Sequence, residues 1–293
     1  MITRLNPLSN EQRGTTYAIL SGLCYGLLGY FGMSIINANF SIANTTFWRF
    51  LVATIVMGIA LLPKYKTLLS HPRESLCIFL CGVFLYTPGA MLFFVSSQYI
   101  GTGLSIVIFF SFPVMVMLIN WYFFNAKMSL MYYISIALII IGLILLVDTQ
   151  GLQANIIGIA LSFFSAFAYA LYIVLSKKIP LPPLLSTFML SMGCMVSSFI
   201  YAYFEGSFVL PMDVRIWCDI IGLGILCTAL PILLLLQGLK YISSEKASIL
   251  SVLEPISIVL VGITMLGETI TNVQVLGIIV VLAGAMTTMS PQK

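Results

Sequence analysis

Apolar residues in this chain run in long blocks, broken at near-regular intervals by short polar stretches. Ten blocks stand out: 14–37, 41–63, 75–98, 104–124, 129–147, 154–176, 184–204, 216–238, 245–266 and 272–290. Each reaches or approaches the roughly 20 residues with which an α-helix crosses about 30 Å of hydrocarbon. The connections are short, so neighbouring helices are expected to run antiparallel; the longest fall at 64–74 and 205–215. Composition points the same way. Of 293 residues, 60% are hydrophobic and only 8% charged, with a mean hydropathy of +1.10, against about 25% charged in an ordinary soluble domain. The solvent for this chain is therefore a bilayer. The polar head that carries Arg4 and Arg13 precedes an apolar run longer than the core of a cleavable signal, and further spans follow it.

Within the apolar blocks the prolines come in two matched pairs. Pro88 and Pro113 are echoed by Pro231 and Pro255, at offsets of 143 and 142 residues. Tyr99-Ile100 returns as Tyr241-Ile242, Gly142 as Gly284, and Ser21, Tyr25 and Leu27 as Ser165, Tyr169 and Leu171. The chain thus reads as a duplicated five-helix unit, 14–147 and 154–290, after a cytoplasmic tail 1–13. With the N-terminus inside, cytoplasmic segments hold Arg4, Arg13, Lys64, Lys66, Arg73, Lys127, Lys177, Lys178, Lys240, Lys246 and Lys293, and the opposite side holds Arg215 alone. Eleven against one is a strong positive-inside signal, and it explains the net charge of +4 without an acidic partner. Five helices is an odd number, so the second copy enters the membrane from the other side. The expected fold is an all-α membrane protein with ten transmembrane helices in two inverted repeats, a design suited to alternating access.

The stretch Leu239 to Gly284 resembles the closing half of the EamA-like family of the drug/metabolite transporter superfamily. The matching elements are Lys240-Tyr241-Ile242, Ala247-Ser248, Leu253-Glu254-Pro255, Leu266-Gly267-Glu268, Leu276-Gly277 and Ala283-Gly284. In the first half, Phe47-Trp48-Arg49-Phe50 and Phe112-Pro113 are similar to the family pattern. The first half departs from the second with Phe112 in place of Glu254 and Asn125-Ala126 in place of Gly267-Glu268. The resemblance implies a carrier of small metabolites such as amino acids, nucleosides, vitamins or toxic organics. It further implies a central cavity lined by the first, third, fourth, sixth, eighth and ninth helices, with the fifth and tenth peripheral.

Glu254 lies about nine residues into its span, near mid-depth at 1.5 Å per residue. A carboxylate there costs about 2.5–3.5 kcal/mol on insertion scales. Two readings stand: it faces a cavity as a proton carrier or substrate ligand, or it bonds backbone groups freed beside Pro255. Arg49, at similar depth, either pairs with Glu254 or a substrate carboxylate, or snorkels to the interface. Tyr25 and Tyr169 present a ring and a hydroxyl to the repeat interface or pack in the core. Gln98 is a further cavity candidate, while Asn120, Gln237 and Asp219 fit interhelical hydrogen bonds. The four prolines set bends, either as flexing gates or as static kinks. Gly22, Gly26, Gly29 and Gly32 favour close helix contact or a hinge.

Cys77 and Cys81 share a helix face and read as small hydrophobes, and the only histidine, His71, sits in a polar loop. No metal, cofactor or nucleic-acid motif is present, and no phosphate loop, so a gradient of substrate, proton or another ion must supply the drive. The sequence reads as a secondary or facilitative transporter with both termini cytoplasmic in the inner membrane. A non-transporting receptor or scaffold and a lipid-acting membrane enzyme are the alternatives. Substrate, direction of transport and oligomeric state are not encoded in these patterns.

Overall fold

The computed structural model describes residues 9–64, 66, 70–127, 129–146, 155–266 and 271–287, and among them every regular element is helical. The tail with Arg4, the Gly267-Glu268-Thr269 turn and Lys293 lie outside the described residues. In chain order the helices are α1 (Asn10–Asn37), α2 (Ile42–Lys64), α3 (Pro72–Gly101), α4 (Leu104–Phe124), α5 (Leu130–Leu146), α6 (Ile156–Lys178), α7 (Pro183–Phe204), α8 (Val214–Gly238), α9 (Ser244–Met265) and α10 (Asn272–Thr287). Eight of these are long and apolar enough to cross a membrane. The other two, α5 and α10, have 17 and 16 described residues. Polar side chains fix the starts. Ser9 forms a capping box with Gln12, Ser41 and Ser243 each cap the N–H three residues on, Asn155 caps the N–H groups of Ile157 and Gly158 in α6, and Asp213 caps that of Arg215 in α8. Asn125, in the left-handed region at φ 49°, ends α4.

The four prolines sit at irregular turns. In α3, residues Gly82–Tyr86 form a widened π turn closed by the Thr87 N–H on the Gly82 carbonyl. In α8, Ile225–Ala229 do the same, with the Leu230 N–H on the Ile225 carbonyl. Each π turn ends just before a proline, Pro88 or Pro231. A proline ring clashes with the carbonyl four residues back in a straight helix, and a widened turn relieves that clash. In α4 and α9 the helix breaks at Phe110–Ser111 and Ser251–Val252, immediately ahead of Phe112-Pro113 and Glu254-Pro255. Neighbouring helices satisfy part of the disturbed backbone. Ser197 Oγ of α7 donates to the Val83 carbonyl at 3.1 Å, and Cys194 Sγ approaches the Gly82 carbonyl at 3.6 Å. In α8, Thr228 Oγ1 donates to the Leu223 carbonyl at 2.9 Å.

The helices pair reciprocally between the two halves. Ser21 of α1 donates to the Pro231 carbonyl of α8 at 2.8 Å, and Ser165 of α6 donates to the Gly89 carbonyl of α3 at 2.7 Å. A Cβ on Gly14 would strike Tyr241 and Ile242, and one on Gly158 would strike Tyr99 and Ile100. Those are the residue pairs matched in the sequence. On the flank, α5 and α10 form a pair of their own: Gly142 abuts Gly277 and Val281, Gly284 abuts Ser135 and Ile139, and Ser135 Oγ donates to the Gly284 carbonyl at 2.6 Å. Small residues bring helix backbones close where lipid supplies no hydrophobic drive between them. The side chain in Gly142→Leu or Gly284→Leu would meet backbone within 3 Å. Each substitution should cost about 1–3 kcal/mol by overpacking, read as a lower melting temperature of the purified protein; an unchanged melting curve contradicts this packing.

Candidate functional site

Charged and aromatic side chains from both halves converge on the interior. Glu254 of α9, half-buried, sits just past the break in its helix, where its own N–H bonds the Ser251 carbonyl at 3.0 Å. Two glycines set its position against α1. A Cβ on Gly22 would lie 3.3 Å from Leu253 Cβ, and one on Gly26 would lie 2.6 Å from Ser257 Cβ. This close approach brings Glu254 within electrostatic reach of Tyr25 on α1, Tyr86 on α3 and Tyr169 on α6. Arg49 of α2 is also half-buried and acts electrostatically on Glu254 and Tyr86. Its Cζ lies 4.8 Å from the centre of the Phe50 ring, a cation–π geometry. Its Nε is shielded from solvent and has no hydrogen-bond partner. No ion pair within 4.0 Å joins Arg49 and Glu254; among the described residues that geometry is recorded only for Lys246 and Glu11.

Tyrosines and phenylalanines wall this region. The Tyr25 and Tyr86 hydroxyls lie 3.4 Å apart. The Tyr86 ring packs against Phe50, Tyr169 and Tyr172 with centroids 5.8, 5.9 and 5.2 Å away. Phe112 meets Tyr169 edge-on at 4.9 Å, with Phe109 beside both. Edge-on pairs of this kind stabilise beyond their buried area. The region is polar where α9 faces α1, at Glu254 and Tyr25. It is aromatic where α4 faces α6, at Phe112 and Tyr169. The difference follows from the one exchange of glutamate for phenylalanine between the halves.

Glu254, Arg49, Tyr25 and Tyr169 are therefore brought together, and the breaks before Pro113 and Pro255 lie beside them. Gln98 is exposed near the end of α3 and is not part of the cluster. Its neighbours Ser96 and Ile100 take the face toward α6, where Ser96 Oγ donates to the Gly158 carbonyl at 2.8 Å. Asn120 bonds Ser244 and Ser34 bonds Asp219, both between helices. Tyr86 and Tyr172 did not stand out in the sequence, and Phe50 did so only as part of the Phe47-Trp48-Arg49-Phe50 stretch. The available signal for Tyr86 was its place two residues before a mid-span proline. The cavity inferred from the resemblance omits the second helix, yet α2 supplies both Arg49 and Phe50.

At the lysine-rich end, polar and charged side chains join neighbouring helices. Asn120 Nδ2 of α4 donates to Ser244 Oγ of α9 at 2.9 Å. Lys177 Nζ of α6 donates to the carbonyls of Leu239 and, at 2.9 Å, Ile242 in the α8–α9 connection. Lys246 Nζ and Glu11 Oε1 pair at 2.7 Å, and Lys178 Nζ stands 3.9 Å from the centre of the Phe124 ring.

A family model for the EamA-like transporter family matches residues 12–148 and again 156–290. A Bacillus subtilis (strain 168) protein named as the uncharacterized transporter YxxF is 27% identical over 291 residues, covering 96% of this chain and 92% of its own. An uncharacterized transporter of Synechocystis sp. is 30% identical over 220 residues, 69% of this chain and 62% of the relative. One from Archaeoglobus fulgidus is 35% identical over 132 residues, 44% of this chain and 46% of the relative. A solved crystal structure shares the fold with a TM-score of 0.79 at 15% identity, covering 94% of this chain and 95% of its own.

Removing the amide in Asn120→Ala breaks the buried contact between α4 and α9. The expected loss is about 1 kcal/mol, seen as a lower midpoint in thermal or denaturant unfolding, and a wild-type midpoint speaks against the contact.

Proposed function

The chain belongs to the EamA-like transporter family, and on that footing we propose that it is a secondary or facilitative carrier of a small organic solute. Amino acids, nucleosides, vitamins and related metabolites are the candidate cargo. The proposed architecture is ten membrane crossings in two inverted five-helix repeats, 14–147 and 154–290, after a short tail 1–13. Both termini lie in the cytoplasm and the protein sits in the cytoplasmic (inner) membrane. The eleven-to-one distribution of basic residues supports this orientation. The reciprocal pairing of α1 with α8 and of α6 with α3 supports a two-fold relation between the repeats. Alternating access then follows as rocking of one set of helices against the other, with the Asn120, Lys177 and Ser244 contacts closing the cytoplasmic end.

The observation that carries this reading is the unspanned pair of charges. Arg49 and Glu254 act on each other, yet no direct ion pair joins them. Each is costly within a membrane span, and a solute able to bond both would offset that cost. A receptor or scaffold has no use for two such charges held apart, and among the described residues no nucleophile constellation favours a lipid enzyme. Tyr25 and Tyr169 are proposed to contact the solute, and Glu254 to carry a proton that couples its movement. The breaks at Pro113 and Pro255 and the widened turns before Pro88 and Pro231 are proposed as the points of flexure.

Solute flux into proteoliposomes tests this reading, once a thermal-shift screen against metabolites has found a ligand. Glu254→Gln should abolish dependence on an imposed pH gradient; unchanged coupling discards the proton role. Arg49→Lys keeps the charge but loses the planar fork, and flux should fall by roughly tenfold or more, the worth of a hydrogen bond to a charged group. Normal flux at normal expression removes Arg49 from the site.

A further inference from the structure

A second feature lies apart from Arg49 and Glu254. A cavity of about 420 Å³ opens at the lysine-rich end, between the last turn of α6, the start of α7 and the end of α8. Its polar lining includes Lys177, Lys240, His71 and Ser186, its apolar lining includes Leu181 and Leu236, and no carboxylate lines it. We propose that this cavity binds a phosphate-bearing anion, supplied by the headgroup of an anionic phospholipid.

Three observations carry the proposal. First, the charge balance is positive and one of the cations is held in place. Lys177 spends two N–H donors on the Leu239 and Ile242 carbonyls, which fixes its ammonium at the wall and leaves a third donor for a ligand. Lys240 is exposed at the rim. The carboxylate that acts on Lys177 is Glu245, which is buried and outside the lining. Second, α7 starts here with Pro182 as its N-cap, and no side chain caps its first turn. The positive end of a 22-residue helix therefore faces the same space. Third, the cavity has an apolar side and lies at the ends of three spans, where headgroups sit. A lipid presents its phosphate together with acyl chains that continue into the bilayer, whereas a free anion makes no use of an apolar side, to which Leu181 and Leu236, 9% and 5% exposed, add only a little surface. Basic pockets between helices at this depth suit phosphate headgroups.

The test is thermal melting of the purified full chain in uncharged detergent, titrated with dioleoyl phosphatidylglycerol, dioleoyl phosphatidylcholine or inorganic phosphate. Phosphatidylglycerol should raise the melting temperature saturably, while phosphatidylcholine, with the same tails, and phosphate should not. Lys240→Gln should weaken the phosphatidylglycerol titration about fivefold, the worth of one lysine beside an anionic lipid, with the unliganded melting temperature unchanged. Ser186→Ala should weaken it as well, and Lys127→Gln, outside the cavity, should leave it as in the parent. Equal responses to the two lipids overturn the proposal. So does a parent-like titration in both cavity variants, or a loss in Lys127→Gln as large as in Lys240→Gln, which marks diffuse attraction. A response to inorganic phosphate matching that to phosphatidylglycerol overturns the lipid assignment in favour of a soluble phosphate compound.

Discussion

A helix bent inside lipid has no water to satisfy the backbone groups that the bend disturbs, so protein must supply the partners. That constraint governs this fold. The widened turn of α3 exists because Pro88 follows it, and it is tolerated because Ser197 and Cys194 of α7 reach its carbonyls. Ser21 and Ser165, from the first helix of the opposite half, add bonds to the carbonyls of Pro231 and Gly89, just beyond the two widened turns. Each half thus braces a bent helix of the other. The interleaving of the halves is the condition on which the bends, and the interior they shape, depend.

The same pairing explains why the interior is polar on one side and aromatic on the other. Two equivalent positions face two equivalent tyrosines. At one, Glu254 lies within electrostatic reach of Tyr25; at the other, Phe112 packs on Tyr169 at 4.9 Å. A duplicated scaffold repeats its backbone, but nothing obliges it to repeat its side chains. The chemical asymmetry of the interior therefore rests on substitutions at matched sites, while the frame that positions them is similar in both halves.

Much of this was legible in the residue pattern. Eight long apolar helices appear where ten blocks were read, with shorter helices at the fifth and tenth. The paired prolines mark irregular turns because ring geometry acts locally and leaves its trace at a single position. Tyr99-Ile100 and Tyr241-Ile242 are legible as a repeat, but their purpose is not, since the facing glycines 158 and 14 lie far along the chain. Depth and charge cost marked Glu254 and Arg49, and matched places in the two halves marked Tyr25 and Tyr169. Gln98 fails the same reasoning, because depth alone does not say which way a helix face turns. Tyr86 and Tyr172 were hidden among many aromatics, and only packing distinguishes a ring that lines the interior from one that meets lipid.

The widened turns also resolve a geometric difficulty. A straight rod presents one stripe to one neighbour along its whole length. One surplus residue in a turn rotates everything beyond it by about 100°. Below its π turn α3 lies against α7, where Gly193 meets the Phe79 carbonyl, and above it α3 turns a different side to α6, where Gly89 meets the Ser165 carbonyl. The same surplus in α8 serves α2 at Gly224 and α1 at Pro231. A single rod with a phase slip can thereby join two layers that would otherwise need two rods, and a chain of fewer than 300 residues can close around a common interior.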